Sequence, residues 1–177
     1  MIVNYENLTK LEREKILDDV YNLAYNYEKK YGNCIQCTLA AIKDTFGIID
    51  DNVFKASHGL AAGIGLRSTG VCGALSAGVM VVSILEGREW KKLSEGEKPY
   101  SYELSRKLID KFEEEYGSIL CHEIQKKIMG RSYDLSISEQ SEAYLEAGGR
   151  VDKCTSVVGN GAKYIAEMIL DGDLKLE

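Results

Sequence analysis

Five cysteines are the residues of this 177-residue chain best suited to chemistry: Cys34, Cys37, Cys72, Cys121 and Cys154. An odd number fits a disulfide framework poorly. Metal ligand, cluster ligand, reactive thiol and plain core filler remain open. Cys34 and Cys37 form a Cys-x-x-Cys pair, which suits a dithiol or half of a zinc site. No second such pair and no His pair follows at finger spacing. A thioredoxin-like site needs a strand ahead of the pair and a βαβ pattern around it, whereas here an amphipathic helix leads in. Cys72 sits in "RSTGVCGALSAG" (67–78), flanked by glycines where a loop turns into a helix. An inert packed thiol has no use for flexible backbone on both sides; a thiolate aimed at a metal or a disulfide partner has.

The elements that must position these sulfurs read as helices. "LTKLEREKILDDVYNLAYNYEKKYG" opens on Thr9 with Glu12 three residues on, a capping-box pattern. Leu17, Val20, Ala24, Tyr27 and Tyr31 recur at helical spacing, and Gly32 stops the helix. Asn33 caps a second helix that Gly47 ends, and Asp50 or Asp51 begins a short third one. "CGALSAGVMVVSILEG" reads as a buried helix whose small residues Ala74 and Gly78 admit a close neighbour. Residues 88–100 are a polar connection holding the only proline. Ser101 is expected to start the next helix, with Leu104, Leu108, Ile109 and Phe112 on one side, and Ser118 to cap "ILCHEIQKKIMG". "SISEQSEAYLEAGG" is a weaker helical segment. The last helix, "VDKCTSVVGNGAKYIAEMIL", is expected to break or kink at Gly159 and Gly161. Few stretches alternate with period two, so no strand is required. The expected architecture is all-α: one domain over 1–177, a helical bundle with a glycine-rich loop leading into a buried central helix.

On this reading Cys34, Cys72 and Cys121 lie in or near the first turn of a helix, and Cys154 a few residues into the last. Unpaired N–H groups and the positive end of the helix dipole meet at such positions. They favour the thiolate, the form that binds metal and attacks disulfides. Several helix starts, each presenting a sulfur, can converge on one point in a bundle.

The loop 59–70 invites a phosphate reading, because Gly65 and Gly70 have P-loop spacing. Val71 and Cys72 stand where Lys and Ser or Thr are needed, so nothing reaches a phosphate or holds magnesium. A dinucleotide fingerprint also fails. What the loop can do is bring backbone close to a bulky inorganic group and offer N–H donors to its sulfurs, with Arg67, Ser68 and Thr69 as side-chain donors. His58 and His122 are the only histidines. Either could be a ligand, although a solvated or capping role is commoner. No carboxylate pair or serine-centred triad stands out.

Composition sets the outer limits. Hydrophobic residues make up 45% and charged residues 28%, ordinary for a globular chain. The net charge of -6 and the lack of a basic patch argue against nucleic acid and anionic membranes. The first twenty residues carry no basic region followed by an apolar run, and the longest apolar stretch (74–85) is too short for a span. A cytoplasmic protein is expected, where thiols stay reduced.

The cysteines and their surroundings resemble the C-GCAxxG-C-C family, small bacterial and archaeal proteins described as redox-active. "NCIQCTLAAI", "GIGLRSTGVCGALSAGVM", "LCHEI" and "DKCTSVVGNGAKYIAEMI" carry the resemblance over roughly residues 33 to 170. Position by position it implies Cys34, Cys72, Cys121 and Cys154 as the family cysteines, with Gly70, Gly73 and Gly78 in the central motif. Cys37 departs from the pattern, as do Ala61 and Ala62 in the loop. A related domain in split-Soret-type cytochromes is associated with an iron–sulfur centre. No Cys-x-x-Cys-His sequence is present here, so no c-type haem is expected.

The expected function is redox: a two-iron or four-iron cluster on the four thiolates as metal ligands, with Gly65, Gly70 and Gly73 shaping its cofactor-binding surroundings. Two other readings stand beside it. One is a cluster-free thiol–disulfide oxidoreductase, with Cys34 or Cys72 attacking and Cys37 available as a resolving thiol. The other is a structural zinc protein on the same four ligands. Partners under these readings are an electron-transfer protein or a small-molecule substrate, and a homodimer is compatible with them.

Overall fold

The computed structural model describes residue 5 and residues 8–176. Residues 1–4, 6 and 7, part of the stretch read for a signal segment, lie outside the described residues, as does residue 177 at the end of the expected domain. Among the described residues eight α-helices follow one another: α1 (Lys10–Tyr31), α2 (Cys34–Phe46), α3 (Asp51–Ala56), α4 (Gly73–Glu86), α5 (Pro99–Tyr116), α6 (Cys121–Met129), α7 (Ser138–Glu146) and α8 (Cys154–Leu170). Short 3-10 segments at His58–Leu60 and Trp90–Glu95 and a π turn at Gly149–Lys153 join them. The architecture is all-α. Among the described residues the extended pairing is a single antiparallel bridge, Val71 with Leu120. No helix among them is long and apolar enough to cross a membrane.

Local rules explain most helix ends. Thr9 and Glu12 bond reciprocally, Glu12 N–H to Thr9 Oγ1 (3.3 Å) and Thr9 N–H to Glu12 Oε2 (2.9 Å). Gly32 ends α1 at φ +72°, and Asn33, also left-handed, turns its side-chain oxygen to the N–H of Gln36 at 3.3 Å. Two residues therefore stop one helix and start the next, which makes Cys34 the first residue of α2. Asp50 caps α3 through the N–H groups of Asn52 and Val53.

Three boundaries differ from expectation. Helix α5 begins at Pro99, not Ser101, because proline suits the first helical turn, where its missing N–H is not needed. Ser118 does not cap α6; its Oγ accepts from Leu120 N–H, and the helix starts at Cys121 after the extended Leu120. Helix α8 runs unbroken through Gly159 and Gly161, and the irregular turn lies ahead of it, so Cys154 opens the helix. Both glycines serve packing. A Cβ on Gly161 would stand 2.9 Å from Ala74 Cβ, and one on Gly159 would meet the ring of Tyr21 at 2.6 Å. Helix α4 thus lies close against α8 at Ala74, as its small-residue spacing suggested.

The most extensive helix pairing is α1 against α8, with α2 packed on α1, α4 and α8, and α5 on α4. Val20, Leu39, Ile42, Leu75, Leu104, Leu108, Phe112 and Ile165 are almost wholly buried between them. This apolar body holds the starts of α2, α4, α6 and α8 in fixed relation.

Candidate functional site

Each of four cysteines stands at the start of a helix. Cys34, Cys121 and Cys154 open α2, α6 and α8, and Cys72 is the residue immediately before α4. Cys72 and Cys121 are brought side by side by a short backbone zipper. Cys72 N–H donates to Ile119 O, Cys121 N–H to Gly70 O and His122 N–H to Ser68 O, each at 2.9 Å. Cys34 is pressed against the start of α4, where a Cβ on Gly73 would stand 2.3 Å from its Sγ. The π turn then delivers Cys154. All four line one cavity of about 250 Å³, together with Glu28, Ala62, Gln125, Tyr144 and Arg150. Exposed Tyr31, Leu66 and Leu145 also border it, so it opens toward solvent on that side.

Donors converge on the sulfurs. Ala62 N–H points to Cys34 Sγ at 3.4 Å, and Gln125 Nε2 lies 3.6 Å from Cys121 Sγ. The N–H groups of Ala74 and Leu75 face Cys72, and the hydroxyls of Ser68 and Tyr144 lie beside Cys121 and Cys154. Gln125 is itself held, donating to Ser68 Oγ (3.1 Å) and accepting from Tyr133 N–H (2.8 Å).

The glycine-rich loop achieves this by an unusual path. Ala62, Gly63, Ile64, Gly65 and Leu66 all have positive φ, between 46° and 70°, and Ser68 follows at 59°. A left-handed run of non-glycine residues costs roughly 1–2 kcal/mol for each. Backbone bonds from Leu66 to Ala61, Ser68 to Ala62 and Gly70 to Gly63 hold the coil shut. Gly63 is required at its centre, since a Cβ there would come within 2.9 Å of Cys121 Cβ. Strain of this kind is concentrated where function over-determines the backbone.

The loop's glycines do not act as a group. Gly73 touches a cavity thiol. Gly70 approaches Gly63 O and presents its own carbonyl to Cys121 N–H. Gly65 lies on the outer face, with open space where a side chain would go. Of the polar side chains, Ser68 faces a sulfur, whereas Arg67 pairs with Asp134 at 3.2 Å. Neither histidine borders the cavity: His58 Nδ1 lies 3.0 Å from Gln36 Oε1, and His122 Nδ1 lies 3.2 Å from Ser68 O. Cys37 also turns away, its buried thiol donating to Gly32 O at 2.9 Å.

The electrostatics reverse the effect expected of helix starts. Burial pushes all four cavity thiols up: Cys72 to about 12, Cys34 well above the ordinary range, Cys121 and Cys154 in the same direction. Neighbouring thiols add to the rise at Cys34, Cys72 and Cys154. The Ala74 and Leu75 N–H groups pull Cys72 downward, but desolvation outweighs them. All five cysteines are free. Among the described residues, no three His, Cys, Asp or Glu side chains close on a point that would hold one metal ion.

Sequence reasoning passed over Glu28, Gln125, Tyr144 and Arg150. Glu28 had a signal: it falls four residues after Ala24 on the buried stripe of α1, where a carboxyl is out of place. The stripe turns to Glu28 and leaves Tyr31 exposed.

A family model described as "Putative redox-active protein (C_GCAxxG_C_C)" matches residues 10–168, from the start of α1 to near the end of α8. No curated protein and no solved structure matches the chain.

Proposed function

The chain belongs to the C_GCAxxG_C_C family, and on that premise we propose that it is a redox protein holding one iron–sulfur cluster on Cys34, Cys72, Cys121 and Cys154. The observation that carries this reading is the meeting of four cysteines, from four separate segments, around one cavity. Four thiolates make up the ligand set of a two-iron or four-iron cluster, which when bound takes up and releases single electrons. The donor set fits such a group: four thiols spaced around a volume, with no disulfide among them.

The chain's own residues have separable tasks. The helix starts fix the sulfurs. Gly73 leaves room for Cys34 beside α4, and the N–H of Ala62 and the side chain of Gln125 donate to sulfur, with the Ser68 and Tyr144 hydroxyls beside Cys121 and Cys154. Such donors offset negative charge on the ligands and so raise the reduction potential. Apolar walls from Ile124, Val157 and Val158 limit water.

Two other chemistries weigh less. A zinc ion with four sulfurs at about 2.3 Å needs those sulfurs roughly 3.8 Å apart, and no group of side chains among the described residues closes so tightly. Thiol–disulfide exchange needs an accessible thiolate, whereas burial raises every cavity thiol.

Protein purified without oxygen should be coloured, lose that colour with dithionite, and contain iron and acid-labile sulfide in equal amounts. Colourless protein, containing zinc or no metal, would reject the reading.

A further inference from the structure

One cavity group has no task among the four thiols. Glu28 is 4% exposed, borders the same cavity, and has a buried Oε2 without a hydrogen-bond partner. An unpaired buried carboxylate oxygen is costly, and persists where the group changes state or acquires a partner. The nearby cation does not serve it. Arg150 donates from Nε to the backbone carbonyl of Glu28 (3.2 Å) and from Nη2 to that of Lys29 (3.4 Å), so its guanidinium closes the end of α1.

The titratable and charged groups facing Glu28 come from every element around it. They are Cys34 and Cys37 of α2, Cys72 before α4, Tyr144 of α7, Arg150 of the π turn and Cys154 of α8. Arg150 is the one cation of this set. The Cys37 thiol lies beside the Glu28 carboxyl, which gives this departure from the family pattern a place beside the site.

Resting on the cluster reading, we propose that Glu28 is the proton carrier of the redox site, taking up one proton for each electron that enters the cavity. One electron comes from a one-electron donor and one proton from solvent. The oxidised site with a Glu28 carboxylate becomes the reduced site with a Glu28 carboxylic acid, and an O–H bond is the only bond formed. The net charge of the cavity is unchanged, which matters where few solvent dipoles can respond. Burial pushes the Glu28 carboxyl up to about 7, so that both forms are within reach at neutral pH. The substrate class that follows is compounds reduced by electron and proton together.

The test is a spectroelectrochemical titration of anaerobically purified protein from about pH 6 to about pH 8, either side of that value. In the wild type the potential should change little below about pH 7, where Glu28 is already protonated, and above it should fall toward about 59 mV per pH unit, the one-electron equivalent of a tenfold change in proton concentration. Glu28→Gln keeps the side-chain shape and should make the potential independent of pH. Reduced-minus-oxidised infrared spectra of the wild type should gain a carboxylic-acid C=O band, which needs no variant to fold. A cluster whose wild-type potential is flat, with no such band, would overturn this proposal and leave the cluster reading intact. Protein without a chromophore would overturn both.

Discussion

Cys72→Ser is expected to abolish the visible chromophore and leave anaerobically purified protein nearly free of iron. The thiol is buried, faced by the N–H groups of Ala74 and Leu75, and fixed beside Cys121 by the zipper through Ile119 and Gly70. A hydroxyl at this place keeps the shape but is a poor ligand for a soft site. Loss of a supporting hydrogen bond alone typically costs 10–100-fold in metal affinity, roughly speaking, and loss of a ligand should exceed that. Cys37→Ser should retain most of the iron and absorbance, because its thiol donates to Gly32 O and lies outside the cavity wall. Iron assay and absorbance of the two variants side by side decide the matter. The opposite order would make Cys34 and Cys37 the working pair and replace the cluster with a dithiol.

Gly73→Ala should be nearly as damaging, for a reason that isolates the contact between α4 and Cys34. Gly73 has ordinary helical backbone, and an alanine within a helix would normally gain about 1 kcal/mol over glycine. Here the added methyl would stand 2.3 Å from Cys34 Sγ and 3.2 Å from Ile35 N. The sulfur must move or the helices must part, at an overpacking cost of about 1–3 kcal/mol. The expected result is a lower melting temperature together with loss of the chromophore. Gly65→Ala provides the contrast. It meets nothing within 4 Å but has φ +59°, so it should lose about 1 kcal/mol from left-handed strain and keep its colour. A Gly73→Ala protein with wild-type colour and melting temperature would show that Cys34 does not lie where the fold places it.

The parts of this arrangement legible in the sequence are those set by local rules. Thr9 with Glu12, Gly32 with Asn33, and Asp50 act within four residues of themselves, so helix ends and the place of Cys34 could be read directly. The parts that were not legible depend on distant chain. Nothing near Gly159 or Gly161 tells that Tyr21 and Ala74 fill the space a side chain would take, so a contact glycine looks like a break. The left-handed coil at 62–66 passes through Ile64 and Leu66, residues that argue against positive φ. Its own backbone bonds hold it shut, and the residues that follow it, 68–72, pair with the 119–122 segment, about fifty residues away. Burial decided the thiol chemistry in the same way. Helix starts favour thiolates, but how apolar the walls are appears only once α2, α4, α6 and α8 have met. Glu28 was the one missed group with a local signal, a carboxyl on an apolar stripe.

The most direct test of the central claim, that four dispersed cysteines hold one redox group, is anomalous diffraction at the iron edge from crystals grown without oxygen. The account predicts a single compact group of iron peaks inside the cavity, bordered by Cys34, Cys72, Cys121 and Cys154, with Cys37 unliganded. Iron bound through Cys34 and Cys37, or a cavity without anomalous density in coloured crystals, would contradict it.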